Sequence, residues 1–254
     1  MRILFLGDLY AEAGIAAVEK FLPIIKRDYD YDLLFVNGEN VTQGLGLNLK
    51  DYKKLMSLGV AGISLGNHAF SKKELLEFID EANIVRPLNY PKNTPGKPVL
   101  TINFNGIKIA LIQLMGRVFM HDPLNNPFEA IDEVLENLDS DYVVVDVHAE
   151  TTSEKLALAH YLDGRVDAVL GTHTHVATND AMKLPKGTLY LTDLGMCGAK
   201  FGILGADKKL VLNKFLTGMP TRLKPEQTNI LQLNGALLDF EQKTIETINY
   251  SDKE

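Results

Sequence analysis

The segment Gly171-Thr172-His173-Thr174-His175 places two imidazoles two residues apart, directly after the apolar run Val166 to Leu170 that reads as a buried strand. Neutral imidazole is the commonest protein metal ligand, and two rings just past a strand end can turn toward one small volume. Four other strand ends carry chemistry of the same kind: Asp8, Glu39-Asn40, Asn67-His68 and His148. Asp8 and Glu39 are hard oxygen donors. Asn40 and Asn67 offer amide oxygens, and His148, His173 and His175 offer nitrogen. A mixed nitrogen and oxygen set suits iron, manganese, zinc or cobalt, and no thiolate is placed to make a structural zinc site.

Seven ligands are too many for one tetrahedral ion. They suit two ions about 3.5–4 Å apart that share a carboxylate, and Glu39 is the better bridge because Asn40 beside it can anchor one side. Such a centre supplies hydroxide from a bridging water near neutral pH, clamps phosphoryl oxygens and absorbs charge in an in-line displacement. His68 adjoins a proposed ligand and is the residue type that protonates a leaving oxygen. Taken singly, each residue has a plainer role. Asp8 reads as a helix cap, Glu39-Asn40 and Asn67 as turn residues, His148 as a core histidine and His68 as a surface one. Apolar strands that all end this way form a pattern chance rarely gives. His160 lies within a helical pattern and reads as a core-edge residue. His121, beside Asp122 in the loop after Gly116, reads as structural or surface.

The elements that must position these groups alternate. Ile3 to Leu6, Leu33 to Val36, Ala61 to Leu65, Tyr142 to Val147 and Val166 to Leu170 are short apolar runs, each closed by polar or glycine residues. Between them, Glu12 to Lys26 shows helical spacing and Asn48 caps a helix to about Leu58. Ser71 with Glu74, and Thr151 with Glu154, have the spacing of N-terminal caps, the first as a capping box. Asn126-Pro127-x-Glu129 opens another helix. Arg86 to Pro98 is a stiff, proline-marked connection. Val99 to Phe104 and Ile107 to Ile112 flank Asn105-Gly106 as a hairpin. The C-terminal segments Asn229 to Leu233, Ala236 to Phe240 and Thr244 to Tyr250 alternate like antiparallel strands, with Asn234-Gly235 between the first two. This order predicts one α/β layered domain over 1–254 with a partly antiparallel margin. Open α/β sheets bind ligands beyond the carboxyl ends of their strands, where every candidate falls.

Composition sets the outer bounds. The 254 residues suffice for a substantial core, and 46% apolar with 23% charged residues is ordinary for a globular protein. A net charge of −7 argues against stable nucleic-acid binding but not against a small phosphate ligand beside a cation. One cysteine, Cys197, allows no internal disulfide and fits a reducing compartment. No apolar stretch approaches the ~20 residues of a membrane span. The N-terminus does not read as a signal peptide, so the expectation is a cytoplasmic protein, with homo-oligomerisation left open.

Gly7-Asp8, Gly38-Glu39-Asn40, Gly66-Asn67-His68, His148 and Gly171-Thr172-His173-Thr174-His175 together resemble the signature of the calcineurin-like metallophosphoesterases. Tyr10, Glu39-Asn40 and Thr172 depart from the general pattern in the way of one branch, the bacterial YmdB-like phosphodiesterases. The similarity to that branch runs nearly end to end, including Leu114-Met115-Gly116-Arg117, His148-Ala149-Glu150-x-Thr152-Ser153-Glu154-Lys155 and Phe215-Leu216-Thr217-Gly218. Around Ala199-Lys200-Phe201-Gly202 the chain differs from close relatives, which have an aromatic followed by an acidic residue.

The resemblance implies a four-layer α/β/β/α sandwich of two packed mixed sheets. It also implies a dinuclear centre of iron or manganese, with zinc, cobalt or magnesium as further candidates, and hydrolysis of small phosphodiesters such as 2′,3′-cyclic nucleotides. By position it assigns Asp8, Glu39, Asn40 and His175 to one ion, and Glu39, Asn67, His148 and His173 to the other. His68 becomes the proton donor, and Asn40 replaces the histidine absent at Tyr10. Two alternatives are a phosphomonoesterase or nucleotidase on the same centre, and a regulatory scaffold that retains the metal.

Overall fold

The computed structural model describes residues 1–120 and 124–253. Its first half comprises β1 (Arg2–Leu9), α1 (Ala11–Asp28), β2 (Leu33–Asn37), α2 (Leu49–Ser57), β3 (Val60–Ser64), β4 (Ile84–Val85), β5 (Val99–Phe104), β6 (Ile107–Met115) and α3 (Pro127–Leu135). Then follow β7 (Tyr142–His148), α4 (Thr152–Leu162), β8 (Ala168–Thr172), β9 (Met182–Lys183), β10 (Leu189–Leu191), β11 (Met196–Ala199), α5 (Lys208–Thr217), β12 (Leu231–Asp239) and β13 (Thr244–Ser251). The strands form a seven-stranded sheet in the order β13-β12-β11-β1-β2-β3-β4 and a six-stranded sheet in the order β5-β6-β7-β8-β10-β9. Parallel pairing holds where the site lies, through β11-β1-β2-β3 and β6-β7-β8. Antiparallel strands sit at the margins.

Alternation along the strands explains the layers. On β1 and β2, Leu4, Leu6, Leu34 and Val36 pack outward against Val18, Phe21, Leu22 and Ile25 of α1. Their neighbours Ile3, Phe5, Leu33 and Phe35 face the second sheet, where Leu111, Val144 and Leu170 meet them. On β7, Val143, Val145 and Val147 face the other way and pack with Ile131 of α3 and Leu158 and Leu162 of α4. Three apolar interfaces between four layers make the expected α/β/β/α sandwich of two mixed sheets. Among the described residues, no helix is long and apolar enough to cross a membrane.

Local signals held where a backbone group needed them. Asn48 Oδ1 accepts from the Asp51 amide to start α2, and Asn126 Oδ1 accepts from the Phe128 amide to start α3. Asn105 and Gly106 both take positive φ (52° and 89°), the hairpin turn expected between β5 and β6. Three expectations fail. Ser71 and Glu74 do not box a helix: residues Lys73–Glu77 form only a 3-10 turn, and Glu74 Oε1 accepts from the Leu49 amide at the start of α2 instead. Thr151 does stand at the N-cap of α4, but its side chain makes no capping hydrogen bond, and Glu154 accepts from the amides of Arg117 and Val118 rather than closing a box. Asn234-Gly235 is not a break but the middle of β12. There the strand leaves β11 and joins β1, with Gly235 opposite Leu6 and the Asn234 side chain donating through Nδ2 to Met196 O.

Candidate metal centre

The ligand candidates of the first sheet leave the ends of three adjacent strands. On β1 the pairing register with β2 shifts between Leu6 and Asp8. One extra residue at Gly7 turns Asp8 to the inter-sheet side with Ile3 and Phe5, while Leu9 returns to the helical side. Gly7 is required there, since a Cβ would overlap the carbonyl of Gly195. Glu39 and Asn40 follow β2, and Asn67 follows β3 through Gly66. A Cβ on Gly66 would overlap Glu39 Oε2 and His148 Nε2, so glycine is what lets this turn close on the cluster.

From the second sheet, His148 ends β7 on the same face as Val144, and His173 follows β8 with φ of 100°. That backbone is costly for a histidine and is held by anchors on both sides. The His173 amide donates to Asp8 Oδ2 (3.1 Å), and Asp193 Oδ2 accepts from the Thr174 amide (3.1 Å) and hydroxyl (2.8 Å). Asp193 is itself buried against Lys155, whose ammonium stands 2.7 Å away.

All seven ligand candidates fall into one network. His148 Nε2 lies 2.9 Å from Asn67 Oδ1, 3.0 Å from His173 Nδ1 and 3.4 Å from Glu39 Oε1. Asn40 Nδ2 contacts Glu39 Oε1 (2.7 Å) and His175 Nε2 (3.2 Å), and His175 Nε2 is 3.6 Å from Asp8 Oδ1. Glu39, His148 and His173 offer ligand atoms within 4.8 Å of one another, a cluster able to hold a metal ion. His68 stands at the rim. Its backbone amide donates to Glu39 Oε2 (2.9 Å) and its ring Nε2 lies 3.2 Å from the side-chain Nδ2 of Asn67. Tyr10, where the general signature has histidine, instead packs its ring edge-on against His175 at 5.6 Å. His160, expected at the core edge, is instead exposed on α4, and His121 with Asp122 lies outside the described residues.

Two observations test whether a cation fits. Asp8 Oδ1 is buried and has no hydrogen-bond partner among the described residues. Leaving a carboxylate oxygen so placed is costly unless something positive meets it. Secondly, each histidine has its other nitrogen beside an acceptor outside the cluster: His175 Nδ1 beside Leu204 O (3.0 Å), His173 Nε2 beside Glu150 Oε2 (3.1 Å) and His148 Nδ1 beside Thr172 Oγ1 (2.8 Å). That arrangement orients metal-ligating imidazoles. The residues fit a metal.

In the metal-free cluster the buried charges are met by one another. Burial alone would lower His148, but Glu39, Asp8 and Asp146 push it up to about 9. Burial and then the charge of His148 push His173 down to about 4. Burial would raise Asp8, yet His175 and His148 hold it well below the usual carboxylate range.

Beneath the cluster is a layer that sequence reading missed. Asn37, Ser64, Asp146 and Thr172 are all fully buried. Asp146 interrupts the valine run of β7 two residues before His148, hence on the same face. A charge at that position in an apolar strand was the available signal.

A layered fold of this kind, with a metal-fitting cluster beyond the carboxyl ends of parallel strands, defines a metallophosphoesterase, a metal-dependent phosphoester hydrolase. The family description "YmdB-like protein" matches residues 4–251. The chain is 43% identical to the 2′,3′-cyclic-nucleotide 2′-phosphodiesterase of Bacillus subtilis strain 168 over 96% of this chain and 93% of that protein. Its fold superposes on a structure of a hypothetical protein from Thermus thermophilus with a TM-score of 0.94 and 47% identity, covering 100% of both chains. A second structure, of a novel phosphatase from Mycoplasma pneumoniae, gives a TM-score of 0.91 and 37% identity, covering 100% of this chain and 94% of that one. The chain belongs to the YmdB-like family.

Proposed function

We propose that the protein is a phosphodiesterase for small phosphodiesters, with 2′,3′-cyclic nucleotides as its substrate class, working in the cytoplasm on a dinuclear iron or manganese centre. The carrying observation is the convergence of Asp8, Glu39, Asn40, Asn67, His148, His173 and His175 into one contact network in which the buried Asp8 Oδ1 accepts no hydrogen bond among the described residues. The name of the Bacillus subtilis relative supports the substrate class. Asp8, Glu39, Asn40 and His175 would hold one ion and Glu39, Asn67, His148 and His173 the other, with Glu39 common to both sets. When bound, the ions supply Lewis acidity toward phosphoryl oxygens and an activated water.

The chain's own groups do the rest. Glu39 Oε2 accepts the His68 amide and so fixes the start of that residue. Asn67 packs against its ring. His68 then donates a proton to the leaving ribose oxygen, while the Tyr10 ring walls the His175 side.

The test pairs elemental analysis of the purified protein with assays on 2′,3′-cyclic AMP and on a nucleoside monophosphate. Two ions per chain and hydrolysis of the cyclic substrate are expected, with His68→Gln slowing it by about 100-fold or more while metal content holds. Hydrolysis of the terminal phosphate alone would make the protein a phosphomonoesterase. Retained metal with neither activity would leave the scaffold role. Two ions retained in Glu39→Ala would refute the bridge.

A further inference from the structure

The buried polar layer beneath the site is built as a chain of donors that ends on one carboxylate. Asp146 Oδ2 accepts from Ser64 Oγ (2.5 Å) and Asn37 Nδ2 (3.1 Å), and Asp146 Oδ1 accepts from Thr172 Oγ1 (2.7 Å). A carboxylate offers only lone pairs, so the single hydroxyl proton of Thr172 points to Asp146. Thr172 Oγ1 then faces His148 Nδ1, 2.8 Å away, with its own lone pair. Nδ1 must carry the proton of that contact. The remaining nitrogen, Nε2, is the one that lies among Asn67 Oδ1, Glu39 Oε1 and His173 Nδ1.

The same carboxylate also joins the sheets. Ser64 and Asn37 belong to β3 and β2 of one sheet, Asp146 and Thr172 to β7 and β8 of the other. Asn37 Oδ1 in turn accepts the Glu39 amide (3.1 Å), so the layer reaches a ligand candidate on each side.

We infer that Thr172, oriented by Asp146, is a positioning residue: its hydroxyl fixes His148 as the Nδ1–H tautomer and so aims Nε2 at the metal, while Asp146 sets the spacing between the ligand groups of the two sheets. Thr172 does not touch the reacting atoms. The departure of this residue from the general metallophosphoesterase pattern thereby acquires a role. The inference rests on the metal-centre reading above and deepens it.

The test compares Thr172→Val, which keeps shape and loses the hydroxyl, with Thr172→Ser, which keeps the hydroxyl. Zinc affinity is measured by chelator competition at one pH. Long-range proton–nitrogen spectra of zinc-free, histidine-labelled protein, taken at a pH where His148 is neutral, read which of its two nitrogens carries hydrogen. Loss of an orienting partner of this kind weakens metal binding by about 10–100-fold. That loss, with disappearance of the His148 Nδ1–H signature, is expected for valine, and recovery to near wild type for serine. Wild-type affinity and an intact Nδ1–H signature in the valine variant would overturn the inference. If valine prevents folding, Thr172→Ala against Thr172→Ser makes the same comparison, since they differ only in the hydroxyl. His148→Ala separates the two levels. Unchanged zinc binding there sinks the metal-centre reading, whereas lost zinc binding there with no effect of valine sinks the tautomer role alone.

Discussion

His148 is where the chemistry of single residues is most exposed. It is wholly buried, yet burial is outweighed by Glu39, Asp8 and Asp146, which push it up to about 9 from an ordinary 6.5 in the metal-free protein. A raised value of this kind stabilises the metal-free fold fully below pH 6.5, and the contribution is lost as pH rises through about 9. A cation at Nε2 must displace the proton held there. Metal affinity should therefore climb by about tenfold per pH unit between neutrality and the upper titration, with one proton released per site loaded. Chelator competition across that range with a pH-indicator titration checks this. A flat affinity profile with no proton release would show that His148 Nε2 is not displaced.

The loop after β8 shows what an element requires. It must hold His173 at a φ of 100° and His175 at 64°, neither comfortable for a histidine. The strain is overcome by Asp193, which accepts from Thr174 twice and from the Gly195 amide, and whose charge is neutralised by Lys155 from α4. Removing Lys155 would leave Asp193 buried and unpaired, at a cost of about 3–5 kcal/mol. Lys155→Met should lower the melting temperature by on the order of 10 °C and weaken metal retention together. Thermal unfolding followed by circular dichroism, with metal analysis of the same sample, is the check. A shift under about 2 °C would mean that Asp193 finds another partner.

Seen at the scale of the molecule, the site is a seam. Asp8, Glu39, Asn40 and Asn67 come from one sheet, and His148, His173 and His175 from the other. Between the sheets the apolar core ends in the polar rung of Asn37, Ser64, Asp146 and Thr172, and the ligand cluster closes the rung above. A cation bound there stabilises only the state in which both sheets are docked. At 100 times its dissociation constant a ligand contributes about 2.7 kcal/mol. Removing metal with a chelator should lower the melting temperature by roughly 5–10 °C, reversibly on adding manganese. Calorimetry with and without chelator reads this directly, and identical transitions would argue against a cation across the seam.

That Asp8, Glu39, Asn40, Asn67, His148, His173 and His175 could share one site was legible only in their joint placement at the ends of apolar runs, since each alone has a plainer role; the structure brings them into one network. Also legible were the alternation that sorts strands into layers and the Asn105-Gly106 turn. The Ser71-Glu74 and Thr151-Glu154 pairs share an outcome: each glutamate accepts from an amide of a distant segment, Leu49 or Arg117, that only the packed chain brings within reach. Asn234-Gly235 read as a break for a related reason, since only neighbouring strands reveal that the glycine lies where one partner strand gives way to another. Local chemistry, in short range along the chain, determined which groups could bind and which segments were strands. The bulge that turns Asp8 inward, the relay from Asp146 to His148 and the pairing of the two sheets were decided by the tertiary structure, because each depends on atoms that meet only when distant segments are packed together.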